Sequence, residues 1–248
     1  MDVIDGKNCC DGLDYCRFSV VIPVFNEQDG INSVISDVKA QAMGETCEII
    51  VVDGDVDGGT VGCVEDEGVI GVCCEAGRGR QMNAGAKIAQ GEVLLFLHAD
   101  TRLPDGAFAA IWDAVGDGEF IGGAFELGFD SARFIYRMLA YWRNVRGRLS
   151  KVPFGDQGIF IRKDYFERIG GYAEISFLED VELMRRIKKD GGKIRILGER
   201  ITTSVRRFEK IGALRGTLRN GAILTMYYLG VSAERLAKYY RSDDGRGK

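Results

Sequence analysis

The segments FSVVIPV at residues 18–24 and INSVISDV at residues 31–38 decide the fold class. A mainly apolar run of seven residues is typical of a strand that is buried on both faces of a sheet. Apolar residues then recur at the spacing of one helix face: Ile31, Val34, Ile35 and Val38. The pattern therefore predicts a buried strand followed by an amphipathic helix.

The same alternation of strand and helix continues along the chain. Further strands are predicted at EIIVV (48–52), VIGVCC (69–74), VLLFL (93–97), FIGGAFELGF (120–129), GIFIR (158–162), KIRIL (193–197) and ITTSV (201–205). Helices are predicted at about 80–89, 104–115, 133–151 and 179–189, and at the end of the chain. Such βαβ alternation indicates an α/β fold, with a mostly parallel central sheet and helices on both faces.

Cysteine usage and the N-terminal sequence indicate a compartment. The seven cysteines form no C-x-x-C pair and no zinc-type spacing, and residues 1–16 lack the layout of a signal peptide. We therefore expect a cytoplasmic protein. Residues 1–16 are polar, acidic and aperiodic, which predicts a flexible leader.

Charge is distributed unevenly between the two halves of the chain. Residues 1–130 carry a net charge of −17 and residues 131–248 carry +13, which together give −4. The basic half either meets an anionic partner, such as a phosphorylated substrate or lipid headgroups, or consists of solvated helix faces. We expect no nucleic-acid partner.

The longest apolar run of the C-terminal region is GAILTMYYLGV at residues 221–231. It is shorter than the roughly 20 residues that span a bilayer, which predicts a soluble or peripheral protein. With Arg215 and Arg219 nearby, this helix either lies on an anionic membrane at its inner face or packs in the core or in a homodimer.

Polar residues follow the predicted strands where parallel strands bind ligands. They are Asn26, Glu27, Asp53, Asp55, Asp57, His98 and Asp100. Carboxylates crowded at one edge repel one another unless a cation lies among them, so we expect a Mn²⁺ or Mg²⁺ site. Asp100 is the expected ligand with His98 beside it, although His98 is equally consistent with a residue that caps the strand end.

The segment GRGRQM at residues 77–82 has Met82 where a dinucleotide-binding loop needs its third glycine, and the chain contains no Walker pattern. Arg78 and Arg80 at the start of a helix either hold a diphosphate or form a solvated helix start.

Five motifs taken in order resemble family 2 glycosyltransferases of the GT-A fold. They are PVFNE (23–27), VVDGDVDGGT (51–60), GRGRQMNAG (77–85), LHADT (97–101) and LEDVEL (178–183). The resemblance runs from about residue 17 to residue 240, and it is strongest to the rSAM/selenodomain-associated transferase 2 subgroup. It implies a GT-A domain at 17–209, with a nucleotide-binding half at about 17–103, an acceptor half at about 104–209, and a helical tail at 210–248.

The resemblance implies a role for several residues on the donor side. Pro23, Phe25, Glu27 and Asp53 match positions that hold the base and ribose of a UDP- or GDP-linked sugar, and Arg78 and Arg80 match a basic region near the phosphates. The segment 98–100 stands where the family has its D-x-D motif. Asp100 is then the ligand of the metal that bridges the donor diphosphate, and His98 departs from the pattern.

The acceptor side is implied in the same way. Glu179 and Asp180 match the family's E-D pair, in which the aspartate is the general base for the acceptor hydroxyl. Asp156 and Gln157 would order the acceptor side, and Arg207 loosely matches the arginine of a Q-x-x-R-W segment. Alternatively, Asp180 only stabilises a helix start, where the dipole would lower its pKa and leave a weak base.

The resemblance thus implies a metal-dependent, inverting glycosyltransferase that acts on an unidentified hydroxyl acceptor, for which a lipid-linked compound is one option. Two alternatives stay open. A sugar-1-phosphate nucleotidyltransferase would carry a lysine-containing loop after its first strand, which residues 23–30 lack. An inactive nucleotide-sugar-binding protein would explain His98, but it would not explain the retained Asp100 and the E-D pair.

Overall fold

A computed structural model describes residues 3–4 and 15–243 of the chain, and its central feature is a mixed β-sheet. The strands are β1 (Val3–Ile4), β2 (Phe18–Val24), β3 (Cys47–Asp53), β4 (Val69–Cys73), β5 (Val93–Phe96), β6 (Thr101–Arg102), β7 (Gly122–Phe129), β8 (Ile159–Arg162) and β9 (Ile194–Thr203). Their order across the sheet is β1-β4-β3-β2-β5-β8-β7-β9-β6. Most of the residue pairing is parallel, as predicted.

Helices cover both faces of the sheet. They are α1 (Ile31–Gln41), α2 (Arg78–Ile88), α3 (Ala107–Val115), α4 (Phe134–Ser150), α5 (Lys163–Arg168), α6 (Glu179–Lys189), α7 (Arg206–Ile211), α8 (Ala213–Tyr228) and α9 (Ala233–Asp243). Short 3₁₀ turns lie at Val61–Cys63 and Gly155–Gln157. None of the helices in the described part of the chain is long and apolar enough to cross a membrane.

The strand β2 shows why both faces need cover. Val20 and Ile22 belong to a core cluster with α1 and α3, whereas Val21, between them in the sequence, belongs to a second cluster with α2 and α6. Alternating side chains of one strand point to opposite faces, so an apolar run such as FSVVIPV requires a layer on each side.

Close packing of α2 on the sheet depends on one glycine. A Cβ atom on Gly85 would lie 2.4 Å from Cγ1 of Val21 and 3.0 Å from Cγ2 of Val52. Glycine at this position lets the helix backbone approach β2 and β3. The start of α2 is thereby held near the carboxyl ends of both strands.

The structure differs from the sequence prediction at strands β9, β1 and β6, and β6 was not predicted. The segments KIRIL and ITTSV, predicted as two short strands, form the single strand β9, which shifts register against β7 between Ala124 and Glu126. The strand β1, which pairs antiparallel with β4, lies within the predicted leader. Residues 1–2 and 5–14 of that leader lie outside the described residues.

The helices of the predicted tail pack against the rest of the domain. Ile223 of α8 and Leu236 of α9 are buried in the same core cluster as α2 and α6. The proposed boundary at residue 209 stays a prediction, and residues 244–248 lie outside the described part of the chain.

Candidate active site

The carboxyl ends of β2, β3 and β5 lie side by side, because these strands are parallel neighbours. The buried side chain of Gln81 in α2 connects the ends of β2 and β3 by hydrogen bonds. Its amide nitrogen donates to the carbonyl of Val24 at 2.7 Å and to the carbonyl of Val52 at 2.9 Å. The starting points of the loops after β2 and β3 are therefore held in fixed positions relative to each other.

Asp53 organises the loop that follows β3. One of its carboxylate oxygens accepts a hydrogen bond from the backbone N–H of Asp55 at 3.0 Å. The other accepts from the N–H groups of Thr60 at 2.7 Å and Val61 at 3.2 Å. Asp53 has no exposed surface, so its observed role is to shape the loop, and its contact with a nucleotide stays a prediction. Asp55, which is half-buried, is the neighbouring carboxylate open to a ligand.

The loop after β2 presents an aromatic ring at the same edge. Phe25 is 54% exposed, which is unusual for a large apolar side chain. Asn26 has a positive φ of 56°, and the N–H of exposed Glu27 donates to Thr60 Oγ1 at 3.2 Å. This contact joins the loop to the one shaped by Asp53. Pro23, the fourth predicted donor residue here, is half-buried at the end of β2.

The histidine of the H-A-D segment lies beside the loop that precedes β8. A Cβ atom on Gly155 would lie 3.1 Å from His98 Nε2 and 3.7 Å from Asp180 Oδ2. The structure thus brings the half-buried His98 and the catalytic candidate Asp180 to the same glycine. Asp100 is exposed, and one of its oxygens accepts a hydrogen bond from the Thr101 hydroxyl at 3.2 Å.

Asp180 lies at the start of α6, where two backbone N–H groups hold its carboxylate. Gly155 donates to Oδ2 and Val181 donates to Oδ1, each at 2.7 Å. Leu178, just before the helix, has a left-handed backbone conformation with a φ of 63°. The carboxylate is therefore fixed from its own helix and from the loop beside His98.

The pKa of Asp180 is raised from its ordinary value to about 6, first by burial and then by the charge of Glu179. The two N–H groups and Arg78 oppose this rise but do not cancel it. The expectation that the helix start lowers this pKa is wrong, because desolvation disfavours the charged form more strongly here. A carboxylate with a pKa near 6 is a suitable proton acceptor at neutral pH.

The two arginines of α2 have different surroundings. Nη1 of Arg78 lies 3.5 Å from Oε1 of Glu179, which is buried next to Asp180. Arg80 instead forms ion pairs with Glu75 and, at 3.5 Å, with Glu174. Of the two, Arg78 is the one that links α2 to the E-D pair.

Asp156 and Gln157 order the loop that carries Gly155. Both oxygens of Asp156 lie 2.7 Å from Nη2 of Arg143. The side-chain amide of buried Gln157 donates to the carbonyl of Phe125 at 3.0 Å and accepts from the N–H of Phe154 at 3.0 Å. Gln157 thus acts through the loop, and its burial excludes direct contact with a ligand in this conformation.

The last predicted site residue, Arg207, lies in α7, and its side chain is outside the described residues. The neighbouring Phe208 packs edge-to-face on Phe129, with ring centroids 5.4 Å apart. Sequence reasoning did not single out Arg143, Arg146 or Phe154, which also line this region. The only signal was the basic character of the predicted helix at 133–151.

Asp100 and His98 are the candidate metal ligands of this site. Among the described residues, no group of three or more His, Cys, Asp or Glu side chains could hold a metal ion. Mg²⁺ commonly uses one or two carboxylates and takes its other ligands from water and substrate phosphates. The exposed carboxylate of Asp100 fits that requirement, and an imidazole such as His98 suits Mn²⁺.

Comparisons with known proteins place the chain among known sequences and folds. A family model described as Glycosyl transferase family 2 matches residues 19–175. The crystal structure of S. aureus TarS 1-349 has a TM-score of 0.57 at 17% identity and covers 78% of this chain and 62% of that chain. A second crystal structure of S. aureus TarS has a TM-score of 0.57 at 13% identity and covers 89% and 41%, respectively. The chain therefore spans less than two thirds of either TarS chain. A comparison with curated proteins found no match.

Proposed function

Because the chain belongs to glycosyltransferase family 2 and has an α/β fold of the GT-A type, we propose that it is a metal-dependent, inverting enzyme. Its donor would be a sugar linked to UDP or GDP, and its acceptor a hydroxyl compound. We also propose membership of the rSAM/selenodomain-associated transferase 2 subgroup, supported by the five ordered motifs.

One observation carries this proposal: a carboxylate with a raised pKa is held at the same glycine as His98 of the H-A-D segment. Asp180 accepts the N–H of Gly155 at 2.7 Å, and Gly155 is in turn covered by His98 of the H-A-D segment. The E-D pair is joined to the donor-side helix through Arg78 and Glu179. His98, two residues before Asp100, therefore lies at the same glycine as Asp180, which supports a donor site beside the proposed base.

The proposed reaction is a single displacement. The acceptor oxygen forms a bond to the anomeric carbon while its proton passes to Asp180. The bond from that carbon to the diphosphate oxygen breaks, and its electron pair leaves with the diphosphate. Attack from the face opposite the leaving group inverts the anomeric configuration.

Several residues of the chain would support this displacement. Asp100, with His98 beside it, would hold a divalent cation, which when bound would neutralise charge on the diphosphate. Phe25 would give the base an aromatic surface, and the loop fixed by Asp53 would border the ribose. Burial and the charge of Glu179 would keep the pKa of Asp180 raised, and Arg78 would hold Glu179 in place beside it. We place the enzyme in the cytoplasm.

The surface of the acceptor half suggests where the enzyme finds its acceptor. The apolar residues that α4 and α8 leave exposed are Phe134, Met138, Tyr141, Trp142, Leu149, Leu218, Tyr228 and the adjoining Leu229. With the positive charge of this half, they support an anionic membrane surface and a lipid-linked acceptor; the alternative is a homodimer. Flotation with phosphatidylglycerol vesicles, compared with neutral vesicles, and sedimentation without vesicles separate the two.

Isothermal titration with UDP and GDP, each with and without Mn²⁺, tests the donor site. We expect one nucleotide to bind only with metal, and Asp100→Ala to weaken that binding by about tenfold or more. Asp113→Ala is the control, because Asp113 is exposed on α3 and outside the site. Equal binding by Asp100→Ala and the parent protein would overturn the metal assignment, and binding of neither nucleotide would overturn the donor assignment.

A further inference from the structure

Two arginines of α4 contact the ring of Phe154, but they differ in their partners. The guanidinium carbon of Arg146 lies 3.9 Å from the ring centroid, and that of Arg143 lies 5.3 Å away. Arg143 also binds both oxygens of Asp156. The nearest acidic partner of this pair of cations is therefore already engaged by Arg143.

Arg146 keeps hydrogen-bonding capacity that the described residues do not use. Its Nη2 atom is buried and has no hydrogen-bond partner among them. Burial, followed by the charge of Arg143, lowers its pKa. A buried guanidinium nitrogen without a hydrogen-bond acceptor costs free energy, which a bound anion would offset.

Arg146 is also close to the reacting groups. Arg146 stacks on Phe154, which directly precedes Gly155. The N–H of Gly155 donates to Asp180, and a Cβ atom on Gly155 would lie against His98. Asp180 and Tyr228 both lie close enough to Arg146 to influence its titration. The charge of Arg146 is thus felt at the proposed base, and Phe154 connects the guanidinium group to the loop that holds this base.

We propose that Arg146, stacked on Phe154, binds an oxyanion of the acceptor, a phosphate or a carboxylate close to the reacting hydroxyl. The acceptor would then be an anionic hydroxyl compound rather than a neutral sugar. A planar guanidinium group forms two parallel hydrogen bonds to either oxyanion, and the ring holds its plane in position. This assignment rests on the proposed function, because that function identifies Asp180 as the base that defines the acceptor side.

The test uses inorganic phosphate and acetate as probes, titrated into the protein saturated with Mg²⁺ and whichever of UDP or GDP binds. The nucleotide fills the diphosphate position, so a probe can report only on a second anion site. We expect at least one probe to bind, with affinity reduced about tenfold or more in Arg146→Met and less in Arg146→Lys, which keeps the charge. The control Arg137→Met, on the exposed face of the same helix, should bind as the parent protein does.

Each other outcome has a defined meaning. If neither probe binds the parent protein, or if Arg146→Met and Arg146→Lys, shown to be folded by circular dichroism, bind them normally, the proposal is overturned. Weaker UDP or GDP binding in Arg146→Met, without an effect on the probes, would assign Arg146 to the donor diphosphate and overturn the acceptor role. If no nucleotide binds but the probes bind in an Arg146-dependent way, the anion site stands and the proposed donor fails.

Discussion

Asp53 and Asp180 are both held by backbone N–H groups, yet the structure uses them differently. The two oxygens of Asp53 accept three backbone N–H groups of its own loop, and no part of the residue is exposed. Asp180 accepts two, lies next to Glu179, and has a pKa raised to about 6. Asp53 therefore shapes its loop through its hydrogen bonds, whereas burial and the charge of Glu179 raise the pKa of Asp180 and suit it to the proposed role of base.

The largest expected effect is that of Asp180→Asn. The amide has nearly the same shape but cannot accept a proton, so we expect sugar transfer to fall by about 10²- to 10⁴-fold. Affinity for UDP or GDP should not change, which calorimetry checks in parallel. Undiminished transfer by Asp180→Asn would show that Asp180 is not the base.

Asp53→Asn should instead act on stability. The amide presents an NH₂ group to backbone N–H groups and loses hydrogen bonds made by a charged acceptor, each worth about 1.5–3 kcal/mol. We expect the free energy of unfolding to fall by about 2–3 kcal/mol, measured by urea denaturation. Asp55→Asn is the control, since the carboxylate of Asp55 accepts only the N–H of Asp57 among the hydrogen bonds described. Equal effects of the two variants would contradict the structural role of Asp53.

The pH dependence of transfer should report the raised pKa of Asp180. The base acts only when it is ionised, so kcat/KM should fall about tenfold per pH unit below pH 6 and level off above it. With a pKa of about 6, the fall in kcat/KM should begin well above the pH at which carboxyl groups ordinarily titrate. A rate that stays constant down to pH 4.5, in a protein still folded by circular dichroism, would argue against a raised pKa.

The smallest expected effect is that of Gly155→Ala. The added methyl group would lie 3.1 Å from His98 Nε2, so the imidazole or the loop must shift by a few tenths of an ångström. Because the N–H of Gly155 holds Asp180, we expect transfer to fall by roughly threefold to tenfold with little change in melting temperature. Gly62→Ala is the matched control, because nothing lies within 4 Å of a Cβ atom there.

The sequence predicts the elements whose signal is local. The apolar run of β2 and the inward Val181, Met184 and Ile187 of α6 are found as expected, since periodicity reports burial directly. The glycosyltransferase family assignment made from the ordered motifs is also confirmed. The site residues and their roles stay predictions.

Tertiary features could not be predicted from the same patterns. The pKa of Asp180 is raised because segments far away in the sequence bury it. The sequence shows only the helix start, which is a local feature and predicts a lowered pKa. The two predicted strands join into β9 because the segments on either side of residues 197–199 both pair with β7, and the register shifts between them. The ion pair of Arg143 with Asp156 and the buried Nη2 of Arg146 are likewise tertiary features that no spacing rule predicts.

The backbone of Leu178 has a consequence for mutational tolerance. Its left-handed conformation costs about 1–2 kcal/mol, while its buried side chain packs in the cluster of α2 and α6. Glycine would relax the backbone but leave a cavity, and alanine would keep the strain and also lose the packing. A library that varies residues 174–178 should therefore accept many substitutions at the exposed Glu174 and Ser176. It should accept very few at Leu178, because the residue that suits the backbone, glycine, does not fill the core, and smaller side chains that keep the strain also lose packing.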